Sequence, residues 1–497
     1  MIIVTFSTDK SKQVSKPVIL FIIDTLMDPP LQEAMKNNRA PALKFLIENG
    51  MYFPDVVSPF PTMSVNVDTT LLTGTYCDRH QLPGLVWFNR KENRLINYGS
   101  HIRELWKLGF SQSMEDILFN LNNHHISHQV KTIHEELENK GKCSASINAL
   151  VYRGTASHQY KLPRILEWFT RISKDRLAKS PKIFTYGKLK KISPSTSNQH
   201  FWQKFGFNNS FSAEELTYLI KTNQLPHFTI IYFPELDQRV HKHGRMDLKG
   251  IEKIDKHLQQ LLNVYSSWEE ALDSNIWIAL GDNGQAWIDA RHKIALIDLR
   301  KLFQSYRIMK LKKGVQATDQ IVLAVNERMA YIYTLNPEAL PVNQLVQEVE
   351  HDKRIDVIAW REGDFIKVRS GEQKGEFRFY SGGTLVDPYN QPWYIEGDKE
   401  VLDIKVIGNH IRYGDYPDAL ARIHSSLFSH EGDFAIVSAK PGYEFIGEGS
   451  PTHVGGASHG GLHLQDSLVP LIATGTHKEP SYLRMVDLKE WILSLIN

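Results

Sequence analysis

Three strand-length apolar runs, each followed closely by an aspartate, constrain the fold of this chain more than any other feature. The runs are VILFII before Asp24, FTIIYF shortly before Asp237, and IWIALG before Asp282. Continuous runs of aliphatic and aromatic residues of this length are typical of strands that are buried on both faces of a parallel sheet. Segments of helical periodicity separate the runs. The pattern therefore predicts an α/β fold, with a mostly parallel, doubly wound sheet flanked by helices.

A change of pattern divides the 497-residue chain, which is too long for one compact unit. Between residues 286 and 450, short alternating stretches such as MAYIYTL and EFRFYSGGTLVD are separated by Gly and Asp turns, as in antiparallel strands. We therefore predict a metal-binding core formed by residues 1–285 and 451–497, and an inserted α+β cap domain formed by residues 286–450.

The composition argues against several classes of protein. The net charge is +2 and no basic stripe is present, so we expect no nucleic-acid duplex as a partner. The apolar run in MIIVTFSTDKSKQ is too short for a signal peptide, and no stretch of about 20 apolar residues occurs, so we expect no membrane association. Two cysteines, Cys77 and Cys143, are too few for a disulfide scaffold and fit a reducing compartment. We expect a cytoplasmic protein, and its oligomeric state stays open.

Ser64 is the candidate nucleophile. It lies in PFPTMSVNVDTTLLTG, where a Pro-bounded loop runs into a segment of helical pattern that Gly74 can end as a C-cap. Free N–H groups and the positive end of the helix dipole favour an alkoxide or a phosphate oxygen at such a helix start. The alternative interpretation is that Ser64, or Thr62, is only the N-cap of the helix.

The remaining candidate residues lie where a sheet of this class binds ligands, beyond the carboxyl ends of its strands. In addition to the three aspartates, the loops expected at that edge carry His241, Asn283 and His459. His241 follows Asp237 by four residues, a spacing that lets both side chains reach one ion. Together with Ser64, these residues predict a two-metal site in which one ion activates the hydroxyl and the other holds a substrate oxygen. Carboxylate and imidazole ligands suit Zn²⁺ or Mn²⁺.

The motifs resemble those of the alkaline phosphatase superfamily, and their pattern is most similar to its type I phosphodiesterase/nucleotide pyrophosphatase branch. The matching segments, in the family's order, are IIDTL, PTMSVNVDTTLLTGTYCDRH, DQRVHKHG, GDNG and ASHGG. The resemblance implies an alkaline-phosphatase-like core with two divalent ions, one bound by Asp24, Ser64, Asp282 and Asn283, and the other by Asp237, His241 and His459. It also implies that Ser64 attacks the phosphorus atom of a small phosphorylated substrate in line, and that water hydrolyses the phosphoseryl intermediate.

The sequence departs from the family pattern at several positions. Asn283 stands where the family has His, and an amide oxygen is a harder and weaker ligand than an imidazole nitrogen. Zn²⁺ remains the first expectation, with Mn²⁺ or Mg²⁺ as alternatives at that site. Val240 replaces a Gly, and Leu85 occupies the position of an Asn that contacts a phosphoryl oxygen in this branch. Asn89 is near enough in sequence to take over that contact.

Two hypotheses of different classes follow. The first is the two-metal-dependent hydrolysis of a phosphate ester, either a phosphodiester or nucleotide or a phosphomonoester; a phosphonate hydrolase or phosphomutase would use the same site. The second is a catalytically weakened homologue, in which Asn283 leaves a ligand-binding or regulatory module. The substrate and the role of residues 286–450 stay open at this point.

Overall fold

A seven-stranded sheet forms the centre of the protein in the computed structural model, which describes residues 16–162, 170, 172, 175–195, 204 and 206–496. The segment 1–15, with the short N-terminal apolar run, lies outside the described residues. In spatial order the strands are Gly50–Val57, Leu468–Thr474, Ile276–Gly281, Val18–Ile23, Phe228–Phe233, Ser144–Ile147 and Ile183–Thr185. The three apolar runs are therefore adjacent strands at the middle of the sheet, and the expected α/β class is confirmed.

The strand directions place the ends of the three runs at one edge of the sheet. Adjacent strands pair in parallel, except that Leu468–Thr474 is antiparallel to both of its neighbours. Ile23 is in register with Phe233 on one side and Gly281 on the other. The chain consequently leaves all three strands at the same level, which brings the residues that follow them close together.

Helices cover both faces of the sheet because alternate residues of each strand point to opposite sides. Leu20 and Ile22 belong to a buried cluster on one face, and Ile19, Phe21 and Ile23 to a cluster on the other. The helices that pack on the first face are Ser64–Thr73, Ile133–Asn139 and Leu488–Ile496. Those on the second face are Asp28–Lys36, Pro41–Glu48, Asn209–Lys221, Glu235–His243 and Leu248–Leu262.

Shorter elements complete the part of the chain that the structure describes. The remaining α-helices are Cys77–His80, Ile102–Leu108, Phe110–Glu115, Trp268–Ser274, His292–Ala295, Leu299–Leu302, Val342–Val349, Ala419–Leu427 and Leu464–Ser467. Asp116–His125 is π-helical, and Leu311–Lys313, Lys399–Leu402 and Met485–Asp487 are 3₁₀-helical. Two-stranded sheets pair Val86–Asn89 with Arg94–Asn97, Ala156–Gln159 with Leu177–Ser180, Ala286–Trp287 with Ala457–Ser458, and Leu296–Asp298 with Glu444–Ile446. Among the described residues, no helix is long and apolar enough to cross a membrane.

A second sheet, of nine strands, lies within the segment whose alternating pattern predicts antiparallel strands. Its strands pair antiparallel, apart from a single parallel bridge between Val386 and His410. The strands in spatial order are Ile321–Asn326, Met329–Thr334, Asp433–Ala439, Ile355–Glu362, Phe365–Arg369, Phe377–Val386, His410–Tyr413 and Ile404–Ile407, and Pro392–Gly397 also pairs with Phe377–Val386.

The turn between the first two strands of this second sheet fastens it to the rest of the protein. The side chain of Asn326 accepts hydrogen bonds from the backbone N–H groups of Leu85 at 2.9 Å and Val86 at 2.8 Å. Arg328 is fully buried and donates to both carboxylate oxygens of Asp466, at 2.8 and 3.1 Å. The hydrogen bonds fix the position of the residue between them, Glu327.

We predict that Arg328→Met destabilises the protein by about 3–5 kcal/mol, because it leaves the buried carboxylate of Asp466 without its partner. The change is measured from the urea midpoint of unfolding. Arg378→Met is the matched control, since Arg378 pairs with Glu396 in an exposed pair of the same sheet and should leave the midpoint nearly unchanged. Equal shifts in the two variants would contradict the structural role of the Arg328 pair.

Candidate active site

Ser64 is the first residue of the helix Ser64–Thr73. Met63 occupies the N-cap position and no side chain caps the helix start, so neither Ser64 nor Thr62 has the N-cap role. The Thr62 hydroxyl instead accepts a hydrogen bond from the backbone of Gly460 at 2.8 Å. The C-cap expectation is met, because Gly74 adopts a left-handed conformation with φ of 64° and donates to Thr70. The Ser64 hydroxyl is thus left to interact with the acids at the sheet edge.

Thr25 is the residue around which those acids are arranged. Its φ is +65°, a left-handed conformation that is strained for a β-branched side chain and that occurs mainly at functional sites. Its backbone N–H donates to Asp282 Oδ1 at 2.9 Å, and its hydroxyl oxygen lies 3.1 Å from both Asp237 Oδ1 and Asn283 Oδ1. Sequence reasoning missed Thr25, because neither the residue type nor its position after a strand indicates this conformation.

One side of the site contains buried carboxylates with too few hydrogen-bond donors. Burial raises the pKa of Asp24, and the charges of Asp282 and Asp237 raise it further. Burial also raises the pKa of Asp282, although hydrogen bonds from the Thr25 backbone and the Ser64 side chain lower it in part. Asp282 Oδ2 and both oxygens of Asp68 find no hydrogen-bond partner among the described residues. Unpartnered oxygens on neighbouring acids in a buried site fit a divalent cation.

Asp68 was not anticipated from the sequence. It lies four residues after Ser64, one turn along the same helix, and is only 1% exposed. Burial raises its pKa, and the charge of Asp282 adds to the effect. The only indication in the sequence was its spacing of four residues from Ser64, which places both on one face of a helix. Ordinary core residues have the same spacing.

Asp237, His241 and His459 converge on the other side of the site. Asp237 and His241 lie one turn apart on the helix Glu235–His243, and their ligand atoms and that of His459 are all within 4.8 Å of one another. His241 Nδ1 donates to the backbone oxygen of Ala457 at 2.8 Å, and His459 Nδ1 donates to that of Thr62 at 2.7 Å. Each Nε2 atom then faces Asp237 Oδ1, at 3.0 and 3.7 Å. Imidazoles anchored through one nitrogen, with the other nitrogen directed at a carboxylate, have the arrangement of metal ligands.

The carboxylates and imidazoles on this side of the site shift each other's pKa values. Burial alone would raise the pKa of Asp237, but His241 and His459 hold it well below its ordinary value. Burial alone would lower the pKa of His241, but the carboxylates of Asp237 and Glu327 raise it to about 10. In the protein without a bound ion, the carboxylates therefore favour the protonated form of His241, and its positive charge offsets theirs.

Two amide side chains link the two sides. Asn283 is fully buried, and its Nδ2 group has no hydrogen-bond partner among the described residues. Gln285 donates from Nε2 to Asp237 Oδ1 at 2.7 Å and to the Thr25 hydroxyl at 3.1 Å. Gln285 was also missed by sequence reasoning, since a glutamine two residues after Asn283 carries no motif.

The predicted ligand sets are not equally compact. In the part of the chain that the structure describes, only two groups of three His, Cys, Asp or Glu side chains have ligand atoms within 4.8 Å of one another, and both contain His241. The second group consists of His241, Glu327 and His453. Asp24 and Asp282 belong to neither group, so Ser64 and Asn283 would have to complete their ion site with oxygen atoms.

The proposed substitute for the family's asparagine is engaged elsewhere. Asn89 Oδ1 accepts hydrogen bonds from the backbone of Lys91 and Glu92, at 3.0 and 3.2 Å, within the turn of its own hairpin. Asn89 Nδ2 donates to the Glu92 side chain at 2.8 Å. Leu85 is partly buried against the hydrophobic clusters. Neither side chain therefore supplies the missing amide contact.

We predict that the chelator-treated protein becomes less stable as the pH rises from about 6.5 to 10. His241 has a raised pKa in the folded state, so its contribution is complete below its ordinary pKa of 6.5 and is lost as the pH approaches about 10. The free energy of unfolding should fall by up to about 1.4 kcal/mol per pH unit in this window. Urea unfolding at a series of pH values measures it.

His241→Gln is the control for this pH dependence and should flatten it. Protein loaded with Zn²⁺ should also lose the dependence, because a ligating imidazole is neutral. An unchanged slope in His241→Gln would show that another group is responsible.

The chain was compared with known proteins. The family model described as type I phosphodiesterase / nucleotide pyrophosphatase matches residues 18–461. Comparison with the curated proteins gives no match.

Similar folds occur among solved structures. Human ectonucleotide pyrophosphatase/phosphodiesterase 5 has a TM-score of 0.57 and 14% identity, over 97% of this chain and 95% of that one. An inactive variant of the murine protein in complex with AMP has a TM-score of 0.55 and 12% identity, over 97% and 95%. Phosphonoacetate hydrolase from Sinorhizobium meliloti 1021, in complex with phosphonoformate, has a TM-score of 0.56 and 13% identity, over 97% and 96%. At these identities the likeness concerns the fold alone. The family match, which extends over most of the chain, places this protein in the type I phosphodiesterase/nucleotide pyrophosphatase family.

Proposed function

We propose that the protein hydrolyses a phosphate ester of a small molecule, with Ser64 as the nucleophile and two divalent ions as cofactors. Family membership supports a hydrolase of the phosphodiesterase type. The observation that carries the proposal is the position of Ser64, at the first turn of a helix and close enough to the buried Asp282 to lower the pKa of that carboxyl. A nucleotide or phosphodiester, or a phosphomonoester, is the expected substrate. The AMP and phosphonoformate complexes of two proteins of similar fold are consistent with a small ligand that carries a phosphate or phosphonate group.

We assign the two ions to the two sides of the site. Asp237, His241 and His459 offer two imidazole nitrogens and a carboxylate, a set that favours Zn²⁺. The second set offers only oxygen, from Asp24, Ser64, Asp282 and Asn283, and so also accepts Mn²⁺ or Mg²⁺. When bound, such ions lower the pKa of a nucleophilic hydroxyl and stabilise the charge that develops on a phosphoryl group.

The side chains have separate roles in the proposed reaction. We assign Asp282, whose pKa the Ser64 hydroxyl lowers, the role of orienting the Ser64 oxygen for attack on phosphorus. The free N–H groups at the start of the helix Ser64–Thr73 stabilise a phosphoryl oxygen. Attack displaces the alcohol and gives a phosphoseryl intermediate, and water then hydrolyses the intermediate to release phosphate and restore Ser64. Thr25 and Tyr232, whose hydroxyl donates to Asp24, hold the acids in place.

We further propose that residues 1–285 and 451–497 form the metal-binding core and that residues 286–450 form a cap that selects the organic part of the substrate. The nine-stranded sheet within the second segment supports this division. The turn residues Asn326 and Arg328, which contact the core, support a position of the cap beside the site.

We predict that Ser64→Ala reduces the hydrolysis of p-nitrophenyl phosphate esters by at least about 10³-fold, because no hydroxyl remains to attack phosphorus. Ser64→Thr, which keeps a hydroxyl, should retain most of the rate. The rates are compared at saturating Zn²⁺ or Mn²⁺, and circular dichroism checks folding. Unchanged turnover by Ser64→Ala would remove Ser64 as the nucleophile.

We predict that Asn283→His raises the affinity for Zn²⁺ by about 10- to 100-fold, since an imidazole nitrogen replaces a weaker amide oxygen. The rate at saturating metal should change by less than about tenfold if the native site is already competent. A much larger gain in rate would favour the alternative, a catalytically weakened homologue. Metal titration and steady-state kinetics on the same preparations separate the two results.

A further inference from the structure

Glu327 reaches the candidate site from the second sheet, on the turn between Ile321–Asn326 and Met329–Thr334. Its φ is +57°, which is an unfavourable conformation for a residue other than glycine. The hydrogen bonds of Asn326 and Arg328 on either side hold the turn in this conformation. The fold therefore places the Glu327 carboxylate beside the imidazoles despite a cost in backbone strain.

The carboxylate is oriented as a metal-binding carboxylate usually is. Glu327 Oε2 accepts a hydrogen bond from the Ser458 hydroxyl at 2.6 Å and one from the backbone of His459 at 3.4 Å. Such outer contacts fix the rotation of a ligating carboxylate and leave its other oxygen available. No hydrogen bond to Glu327 Oε1 is found among the described residues, and this oxygen points toward His241.

The distances to the imidazoles leave room for an ion. Glu327 Oε1 lies 3.9 Å from His241 Nε2, and Glu327 Oε2 lies 3.9 Å from His459 Nε2. These separations are too long for hydrogen bonds. They are somewhat wider than the roughly 3.3 Å between two ligands of a tetrahedral ion with bonds of about 2.0–2.1 Å. The same two Nε2 atoms lie 3.0 and 3.7 Å from Asp237 Oδ1.

We propose that Glu327 is a further ligand of the divalent ion that Asp237, His241 and His459 bind. The inference rests on the metal dependence in the proposed function and extends it, because neither the sequence motifs nor the family resemblance assigns Glu327 to the site. The ion then has two imidazole and two carboxylate ligands, and a substrate oxygen would bind as a fifth ligand. The ion is also shared between the central sheet and the second sheet, so the second sheet contributes directly to metal binding.

His453 is better explained as a support than as a ligand. Its ring stacks on that of His241 with centroids 4.0 Å apart and an angle of 24° between the planes. Nearly parallel rings do not direct their nitrogen lone pairs to one point. His453 Nδ1 also lies 2.8 Å from Glu444 Oε2, in a buried pair that holds the ring.

Titration of the metal-free protein with Co²⁺ and Zn²⁺ tests the proposal without any substrate. Four-coordinate Co²⁺ with imidazole ligands absorbs strongly in the visible range, whereas six-coordinate Co²⁺ with oxygen ligands absorbs weakly, so the absorbance reports on this site. We expect an intense four-coordinate spectrum for the native protein. Glu327→Gln should weaken Zn²⁺ binding at this site by about tenfold or more and change the Co²⁺ spectrum. Glu327→Asp, which keeps the charge but shortens the side chain, should give an intermediate affinity.

Glu444→Gln is the matched control, because it also removes a buried carboxylate, one that pairs with His453 next to His241. Its Zn²⁺ affinity should stay within about threefold of the native value. Native-like Zn²⁺ affinity in Glu327→Gln would overturn the proposal. An equal loss of Zn²⁺ affinity in Glu444→Gln would also overturn it, because the loss would then be a general effect of removing a negative charge. If Glu327→Gln does not fold, native-like affinity and spectrum in Glu327→Asp would overturn it instead. Loss of hydrolysis in Ser64→Ala is independent of these titrations, so failure of the proposed reaction and failure of this ligand assignment are distinguishable.

Discussion

The buried carboxylates at the carboxyl edge of the central sheet are the constraint on which the rest of the site depends. Asp282 raises the pKa of both Asp24 and Asp68, and burial raises all three. Burying one uncompensated carboxylate costs several kcal/mol, and neighbouring like charges add to the cost. A chain that folds with these acids together needs either protons or cations there. The fold supplies hydrogen bonds from the Thr25 backbone and the Tyr232 hydroxyl, and these satisfy only part of the demand.

The two sides of the site differ in how the charge of their buried carboxylates is compensated. Around Asp237, imidazoles provide positive charge in the metal-free protein and nitrogen ligands when an ion is bound. The ligands proposed around Asp24 and Asp282 include no imidazole, because Asn283 stands where the family pattern has His. We therefore expect the oxygen-only side of the proposed site to depend more strongly on a bound cation and to favour a harder ion than the side with His241 and His459.

Much of the site was predictable because it follows from simple regularities of the sequence. Apolar runs of strand length predict adjacent central strands, and the polar residues after them predict a ligand site at one edge. The start of the helix at Ser64 and its end at Gly74 were also predictable, because a Pro-bounded loop precedes the helix and a glycine ends it. Asp237 and His241 converge as expected, although they do so on a helix rather than in a loop.

The remaining parts depend on tertiary contacts that no local pattern contains. Thr25 combines a left-handed backbone conformation with hydrogen bonds to Asp282 and Asp237, which follow two other strands. Glu327 lies in an ordinary hairpin turn, and only the docking of the second sheet brings it to His241. The burial of Asp68 and the contact of Gln285 with Asp237 likewise appear only when the chain is folded.

Anomalous diffraction from crystals grown with Zn²⁺ and then soaked in Mn²⁺ tests the central claim most directly, because it locates and identifies each ion. We predict one Zn²⁺ peak among Asp237, His241, His459 and Glu327, and a second peak, of Zn²⁺ or Mn²⁺, among Asp24, Ser64, Asp282 and Asn283. Crystals that show no ordered ion at either position, with Gln285 still donating to Asp237, would contradict a two-metal site in this protein.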